Sequence, residues 1–163
     1  MLRCLLFVFA IVLSVCAYAG EVVSSNLVRL VTYMKTTDVP LFLSLTPSNA
    51  VSPTTVQCPP PGQCILGIQF AAQFNALTPP DPNVAAIVVS VDGSTSGVLP
   101  NGVLGLDSNS TGGGSNARSF LWMTKGLNPG PHTVQVQLYV TSLTGSAASA
   151  DRTLQIDVYK PLP

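Results

Sequence analysis

His132 is the only histidine in the sequence, so a catalytic triad or a histidine-based zinc site would have to be built around it. It follows the turn residues Pro129, Gly130 and Pro131 and opens an alternating strand pattern. Such a position is typical of a turn or strand-capping residue, and a metal site would need further ligands. We therefore predict no catalytic residue and no metal site. A small secreted hydrolase that uses His132 or a pair of converged aspartates is the alternative function.

The carboxylates are dispersed along the chain, and no two of them have the spacing of a calcium loop. Distant carboxylates can still converge in a fold, as in the acid pair of a glycosidase, which is the second form of the hydrolase alternative. The acidic residues after the N-terminal apolar run are Glu21, Asp38, Asp81, Asp92, Asp107, Asp151 and Asp157.

Two glycine-rich segments have the outline of a catalytic or phosphate-binding motif. Gly93-Ser94-Thr95-Ser96-Gly97 resembles a nucleophile elbow, but threonine stands at its centre and no strand-to-helix pattern surrounds it. Residues 111–115 lack the lysine and the helix of a phosphate loop. Both segments are therefore predicted to be loops, and we expect no nucleotide or other cofactor.

The N-terminal segment is typical of a secretory signal peptide. An apolar run follows Arg3 and ends in the small-x-small cleavage site Ala17-Tyr18-Ala19. We predict that residues 1–19 are removed and that residues 20–163 form one domain, secreted to the extracellular space, the periplasm or the cell surface, with no membrane span after cleavage. Two alternatives stay open. A transmembrane anchor would need about 20 apolar residues, and lipidation at Cys16 would need a small residue where a valine stands.

Cys58 and Cys64 are predicted to form a disulfide. The other two cysteines lie in the signal segment, and export makes a disulfide the default for the remaining pair. A redox pair would have a two-residue spacer, and a zinc site would have more ligands. By loop entropy the disulfide is expected to stabilise the fold by roughly 2 kcal/mol, less where the three intervening prolines already order the reduced chain.

Only 9% of the residues are charged, against about 25% in typical soluble proteins. With Arg3 in the signal segment, the rest of the chain carries one more acidic than basic side chain. Nothing in the sequence resembles the basic footprint of a nucleic-acid-binding protein, so we expect no nucleic-acid partner. Weak net charge gives little repulsion between copies, which favours self-association.

Asn109-Ser110-Thr111 is an N-glycosylation sequon in a predicted loop. Asn109 is therefore expected to carry a glycan if the host is a eukaryote.

Alternation of apolar and polar residues predicts an all-β fold, a two-sheet antiparallel β-sandwich of Ig-like or jelly-roll type with about seven to eight strands. Residues 22–34 are ambiguous, because the spacing of their apolar residues is helical while their valine and threonine content favours a strand, which we prefer. Trp122 is expected in the core. The other predicted strands are residues 66–74, 84–91, 119–124, 132–141 and 152–160, and weaker candidates are 39–45 and 54–57.

The last two predicted strands suggest a binding site. If they pair as a hairpin with Leu138 opposite Leu154, their solvent-facing side chains form one polar face framed by Tyr139 and Tyr159. Such a face is suited to a carbohydrate or an extracellular protein. An ordinary solvated strand face has the same residue types, and this interpretation also stays open. The predicted binding residues are Gln135, Gln137, Tyr139, Thr153, Gln155, Asp157 and Tyr159.

Residues 126–135, Gly-Leu-Asn-Pro-Gly-Pro-His-Thr-Val-Gln, and the ending Val158-Tyr159-Lys160-Pro161 resemble small secreted bacterial β-sandwich proteins of uncharacterised function. The resemblance extends to residues 58–64 and to Val91-Asp92-Gly93, and its motifs mark turns and strand edges. It implies export and a sandwich fold and assigns no active residue. We therefore expect a secreted or surface-associated, non-enzymatic β-sandwich that binds a carbohydrate or protein partner or assembles with itself.

Overall fold

The structure is a computed structural model that describes residues 27–76, 85–102, 104–106, 115–141 and 147–161. Its described elements are all strands, arranged in two antiparallel sheets. Seven of the strands have five residues or more, in agreement with the predicted number, and the rest are short pairings at sheet edges. In chain order they are β1 (Leu27–Thr37), β2 (Leu41–Phe42), β3 (Ser48–Asn49), β4 (Thr54–Cys58), β5 (Ile65–Ala76), β6 (Ala85–Val91), β7 (Val98–Leu99), β8 (Leu104–Leu106), β9 (Ser115–Thr124), β10 (Gly130–Val140) and β11 (Ala147–Pro161).

In each sheet, one edge is formed by two strands that pair with different parts of the same neighbouring strand. Sheet A has the order β1-β11-β5-β9-β7, and β2 also pairs with β11, on the same side as β1. Sheet B has the order β3-β10-β6-β8, and β4 also pairs with β10, on the same side as β3. The β1–β2 connection and the β3–β4 connection therefore each interrupt an edge.

The core lies between the two sheets, which makes the predicted β-sandwich the observed fold. Alternate positions of β10 and β11 are buried, and this period of two is what a strand with one covered face requires. Trp122 is 1% exposed and its ring lies 5.8 Å from that of Phe120, so its predicted core position is confirmed. Apolar residues with 1% exposure or less on β10 and β11 are Val134, Val136, Leu138, Leu154, Ile156 and Val158.

The predicted disulfide between Cys58 and Cys64 is confirmed. Cys58 ends β4 in sheet B and Cys64 precedes β5 in sheet A, so the bond joins the two sheets. Both cysteines are fully buried, and their Cα atoms are 5.7 Å apart. Cys64 also exchanges two backbone hydrogen bonds with Leu127, of 3.0 and 2.7 Å, which fix the end of the loop beside β9.

The strand preferred for the ambiguous N-terminal segment is confirmed in its described part, where β1 runs antiparallel to β11. The helical spacing of the apolar residues does not decide the structure of this segment, because strand pairing with β11 stabilises the extended conformation. Residues 22–26, the predicted signal segment 1–19 and the sequon at Asn109 lie outside the described residues. No helix in the described ranges is long and apolar enough to cross a membrane.

The predicted hairpin of the last two strands is wrong. β10 lies in sheet B and β11 in sheet A, so Leu138 pairs with Ile87 and Leu154 pairs with Phe70. Both leucines face the same core from opposite sides. Alternation specifies which face of a strand is buried and does not specify which strand lies beside it, so a hairpin and a crossing between sheets fit the same pattern.

Candidate functional site

The structure divides the predicted binding residues between two opposite surfaces, so the single polar face framed by two tyrosines is wrong. The alternating burial of β10 and β11 directs these residues to the outer faces of their sheets. On sheet B lie Gln135, Gln137 and Tyr139, and on sheet A lie Thr153, Gln155, Asp157 and Tyr159. The sheet B group is half-buried and in register with the small or aliphatic residues Ala86, Val88 and Ser90, which is typical of an ordinary strand face.

On sheet A, Asp157 is in contact with several polar side chains. Its carboxylate accepts hydrogen bonds from the hydroxyl of Thr32 and from Nε2 of Gln155, the latter at 3.0 Å. Nη1 of Arg29 lies 3.8 Å from the same carboxylate, whose side chain is only 13% exposed. Two of these three partners belong to β1, so Asp157 fastens the edge strand to β11.

Tyr159 lies flat against the sheet over Gly67. A Cβ atom at Gly67 would stand 2.9 Å from Cε2 of the tyrosine ring, so the ring occupies the space that glycine leaves. The hydroxyl of Tyr159 is 3.5 Å from Asp157, and burial, reinforced by the charge of Asp157, raises the pKa of the tyrosine. The ring is therefore packed down and not projected into solvent.

Exposed apolar side chains are concentrated instead in β1, β2 and the connections that follow these two strands. Eight large apolar side chains are exposed in the described chain, and seven of them fall between residues 28 and 45. β1 contributes four, and Phe42 of β2 is the most exposed at 71%. We name these seven the apolar edge: Val28, Leu30, Val31, Met34, Val39, Phe42 and Leu45. The eighth, Leu121, lies on β9.

β1 is the outermost strand of sheet A in the described chain and pairs on one side, with β11. Its other side presents backbone N–H and C=O groups that an additional strand can use. Natural proteins block such edges with proline or charge, whereas the eleven residues of β1 contain no proline and only two charges, Arg29 and Lys35. The regular part begins after a bulge between Arg29 and Val31.

Inward-facing side chains of β1 fasten this edge to sheet B. The backbone N–H of Gln57 donates to the hydroxyl of Tyr33 at 3.3 Å. The ammonium of Lys35 donates to the carbonyl of Ser52 at 3.3 Å, to its hydroxyl at 3.0 Å and to the carbonyl of Pro53 at 3.0 Å. Contacts within one chain thus hold β1 in place, and no second molecule is needed to position it.

Arg152 fills the gap between β1 and β2. It follows Asp151, whose φ is 46°, in a bulge of β11, and it is only 4% exposed. Its guanidinium donates to the carbonyls of Val39 and Ala50, both at 2.6 Å, and to that of Ser149. Burial lowers the pKa of Arg152. These hydrogen bonds tie the β1–β2 connection to the β3–β4 connection.

His132 does have a carboxylate neighbour. Its Nδ1 lies 2.7 Å from Oδ2 of Asp92, and its Nε2 lies 2.8 Å from the carbonyl of Asn128. Both partners accept, so both ring nitrogens donate, which requires the imidazolium. Burial opposes this charge, but the two hydrogen bonds outweigh it and raise the pKa of His132.

The same contacts fasten the turn at Asp92 to the start of β10. Hydrogen bonding to His132, with help from the N–H of Thr133 at 2.8 Å, lowers the pKa of Asp92. An imidazolium with both nitrogens occupied is a poor general base, so this geometry does not favour the hydrolase alternative. Within the described ranges, no group of three or more His, Cys, Asp or Glu side chains is arranged to hold a metal.

One feature of the sequence does indicate the buried role of Arg152. Arg152 has the same strand parity as Leu154, Ile156 and Val158, and a charge at an inward position indicates a buried, hydrogen-bonded role. No comparable signal exists for the Asp92–His132 contact, because the two residues are 40 positions apart.

No protein-family model and no curated protein sequence match this chain. Among solved structures, the chain is similar to dimeric latent PorU from Porphyromonas gingivalis, with a TM-score of 0.43 and 14% identity. The match covers 85% of this chain and 13% of the PorU chain, so the chain spans about an eighth of that protein's length. The resemblance to small secreted bacterial β-sandwich proteins stays a prediction.

Proposed function

We propose that the protein is a secreted or surface-associated, non-enzymatic β-sandwich that assembles with a second copy of itself by strand addition along the apolar edge. The observation that carries the proposal is that seven of the eight exposed large apolar side chains of the described chain lie between residues 28 and 45, five of them on β1 and β2 at one edge of sheet A. Strand addition uses backbone hydrogen bonds for affinity and alternate side chains for specificity.

The fixed position of β1, the small net charge and the disulfide support this proposal. Tyr33 and Lys35 hold β1 against sheet B, so pairing would order few additional groups and would cost little conformational entropy. Without the predicted signal segment the chain carries one more acidic than basic side chain, and so small a net charge gives weak repulsion between copies. The disulfide is compatible with an oxidising compartment, where such an edge meets other exported chains.

The positions of the charges in β1 exclude some registers of a two-fold antiparallel pair and permit a register centred on Met34. Centring the pair on Met34 sets Thr32 opposite Thr36 and Tyr33 opposite Lys35, and like charges do not meet. Centring it on Thr32 would set Arg29 opposite Lys35, which is unfavourable. We propose a two-fold axis through Met34, which is an exposed apolar residue of the regular part of β1.

A cysteine at position 34 tests the pair and its register. Opposed residues of antiparallel strands have Cα atoms about 4.5 or 5.5 Å apart, within the range that a disulfide bridges. Residues 20–163 carrying Met34→Cys are expected to form a covalent dimer under mild oxidation, whereas Leu121→Cys is not. Leu121 is the matched control, because both side chains are 62% exposed on the outer face of sheet A.

Light scattering of the unsubstituted chain completes the test. A dimer that dissociates on dilution and is abolished by Met34→Lys, but not by Leu121→Lys, supports the proposal. A strict monomer at high concentration, with equal cross-linking of the two cysteine variants, would overturn it. Carbohydrate binding on the sheet A half, Thr153, Gln155, Asp157 and Tyr159, stays a prediction that a glycan array tests separately.

A further inference from the structure

A recess of about 380 Å³ lies between the inner side of β1 and the β3–β4 connection. Its polar lining includes Lys35, Thr37, Asn49, Ser52 and Arg152. The volume is at the lower end of the range for small-molecule sites, so it suits a small ionic group or one small sugar acid.

The recess has two positive charges and no carboxylate in its lining. In the described chain the ion pairs are Arg29 with Asp157 and His132 with Asp92, so neither Lys35 nor Arg152 is paired with an acid. Each is bonded to neutral oxygen atoms instead. Because Arg152 is only 4% exposed, little water screens its charge from a group bound in the recess.

Hydrogen-bond donors remain for a ligand. A guanidinium has five N–H groups, and Arg152 uses Nε and one N–H on each terminal nitrogen for its three carbonyl partners. The hydroxyl of Ser52 accepts from Lys35, and the hydroxyl of Thr37 accepts from the N–H of Val39 at 3.4 Å, so both hydroxyl protons are available to donate. Charged and neutral donors therefore line the same recess.

We propose that this recess is an oxyanion-binding site that takes one carboxylate or sulfate group. The ligand lies against Lys35 and Arg152 and accepts from the hydroxyls of Ser52 and Thr37. This proposal is independent of the self-assembly proposed above, because it concerns the inner side of β1 and not its open backbone edge.

Two acidic residues near the recess are expected to weaken its affinity for anions. Asp38 and Asp151 line a second recess of about 430 Å³, which Arg152 also borders. Their charges oppose the binding of a multiply charged ligand more than that of a single carboxylate. Removing one of them by Asp38→Asn is therefore expected to strengthen oxyanion binding about threefold.

Calorimetric titration of residues 20–163 at constant ionic strength tests the site, with acetate, sulfate, glucuronate and neutral glucose as probes. Saturable binding of the anions but not of glucose is expected. Lys35→Gln should weaken it about tenfold, since one of the two positive charges that line the recess is lost. Lys125→Gln is the control, because it removes the same charge from an exposed lysine that does not line the recess.

The probes also identify the source of the oxyanion. Equal binding of acetate and glucuronate indicates a free small anion, whereas tighter binding of glucuronate indicates a carboxylate carried on a sugar, and both outcomes support the site. If Lys35→Gln does not fold, the strengthening by Asp38→Asn replaces it as the diagnostic result. Absence of saturable binding, or equal weakening by Lys35→Gln and Lys125→Gln, would overturn the proposal.

Discussion

Arg152 donates a 2.6 Å hydrogen bond from Nε to the carbonyl of Ala50, and this bond ties sheet A to sheet B. The same guanidinium binds the carbonyl of Val39 at 2.6 Å, so it lies where the edges of both sheets are interrupted. A buried cation is costly to desolvate, and the hydrogen bonds to three carbonyl oxygens offset this cost. One side chain thus links the β1–β2 edge of sheet A to the β3–β4 edge of sheet B.

Replacing Arg152 by methionine is expected to destabilise the fold by about 3 kcal/mol, because three carbonyl groups lose their partner in a buried position. Urea denaturation monitored by Trp122 fluorescence measures this change. Arg118→Met, which removes an exposed arginine of β9, is the control and should change the free energy of unfolding little. Equal effects of the two substitutions would contradict the structural role of Arg152.

The Asp92–His132 contact makes stability depend on pH in a defined window. The pKa of His132 is raised, so its contribution is fully present below the unfolded pKa of 6.5 and is lost as pH rises through the folded value. The pKa of Asp92 is lowered, so its contribution is present above 3.8 and is lost as pH falls through the folded value. Maximal stabilisation by the pair therefore lies between these two unfolded values.

The measurement is the free energy of unfolding at pH 5.5 and pH 8.5, for the unsubstituted chain and for His132→Gln. The glutamine keeps a hydrogen-bond donor but does not titrate, so the loss of stability at the higher pH should be smaller in the variant. The same loss in both proteins would mean that other groups cause the pH dependence.

Gly67→Ala is expected to displace the ring of Tyr159, because the added Cβ would lie 2.9 Å from Cε2 of the ring and 3.4 Å from Sδ of Met123. A cost of about 1 kcal/mol follows from such overpacking. Once the ring is lifted, the pKa of Tyr159 should fall towards its usual range, since burial is the main cause of its rise. Ultraviolet titration of the tyrosines detects this change.

A double-mutant cycle supplies the control for this prediction. In a Tyr159→Ala background the clash is absent, so Gly67→Ala should be neutral or stabilising there. If the alanine costs the same free energy in both backgrounds, the ring is not what excludes a side chain at this position.

Local sequence patterns predicted where most strands lie. They did not predict which strands pair with each other or which strand ends a sheet. The alternation of Val134, Val136 and Leu138 specifies a buried face whatever strand lies beside β10, so the strand was predicted and its neighbour was not. The disulfide was predicted because export and spacing left one pair. The apolar edge was not, because exposure of Met34 or Phe42 depends on which strand ends the sheet, and that is a property of the whole fold.

Hydrogen exchange of β1 should depend on protein concentration if its open edge pairs with a second copy. Backbone N–H groups on the unpaired side exchange freely in the monomer and gain hydrogen bonds in the dimer, so a peptide covering residues 27–37 should exchange more slowly in a concentrated sample. A peptide covering residues 115–124 of β9 should be unaffected. Leu30→Lys, which places a charge on the apolar edge, should remove the concentration dependence. Slower exchange in both peptides would indicate general aggregation, and no change in either would contradict pairing at β1.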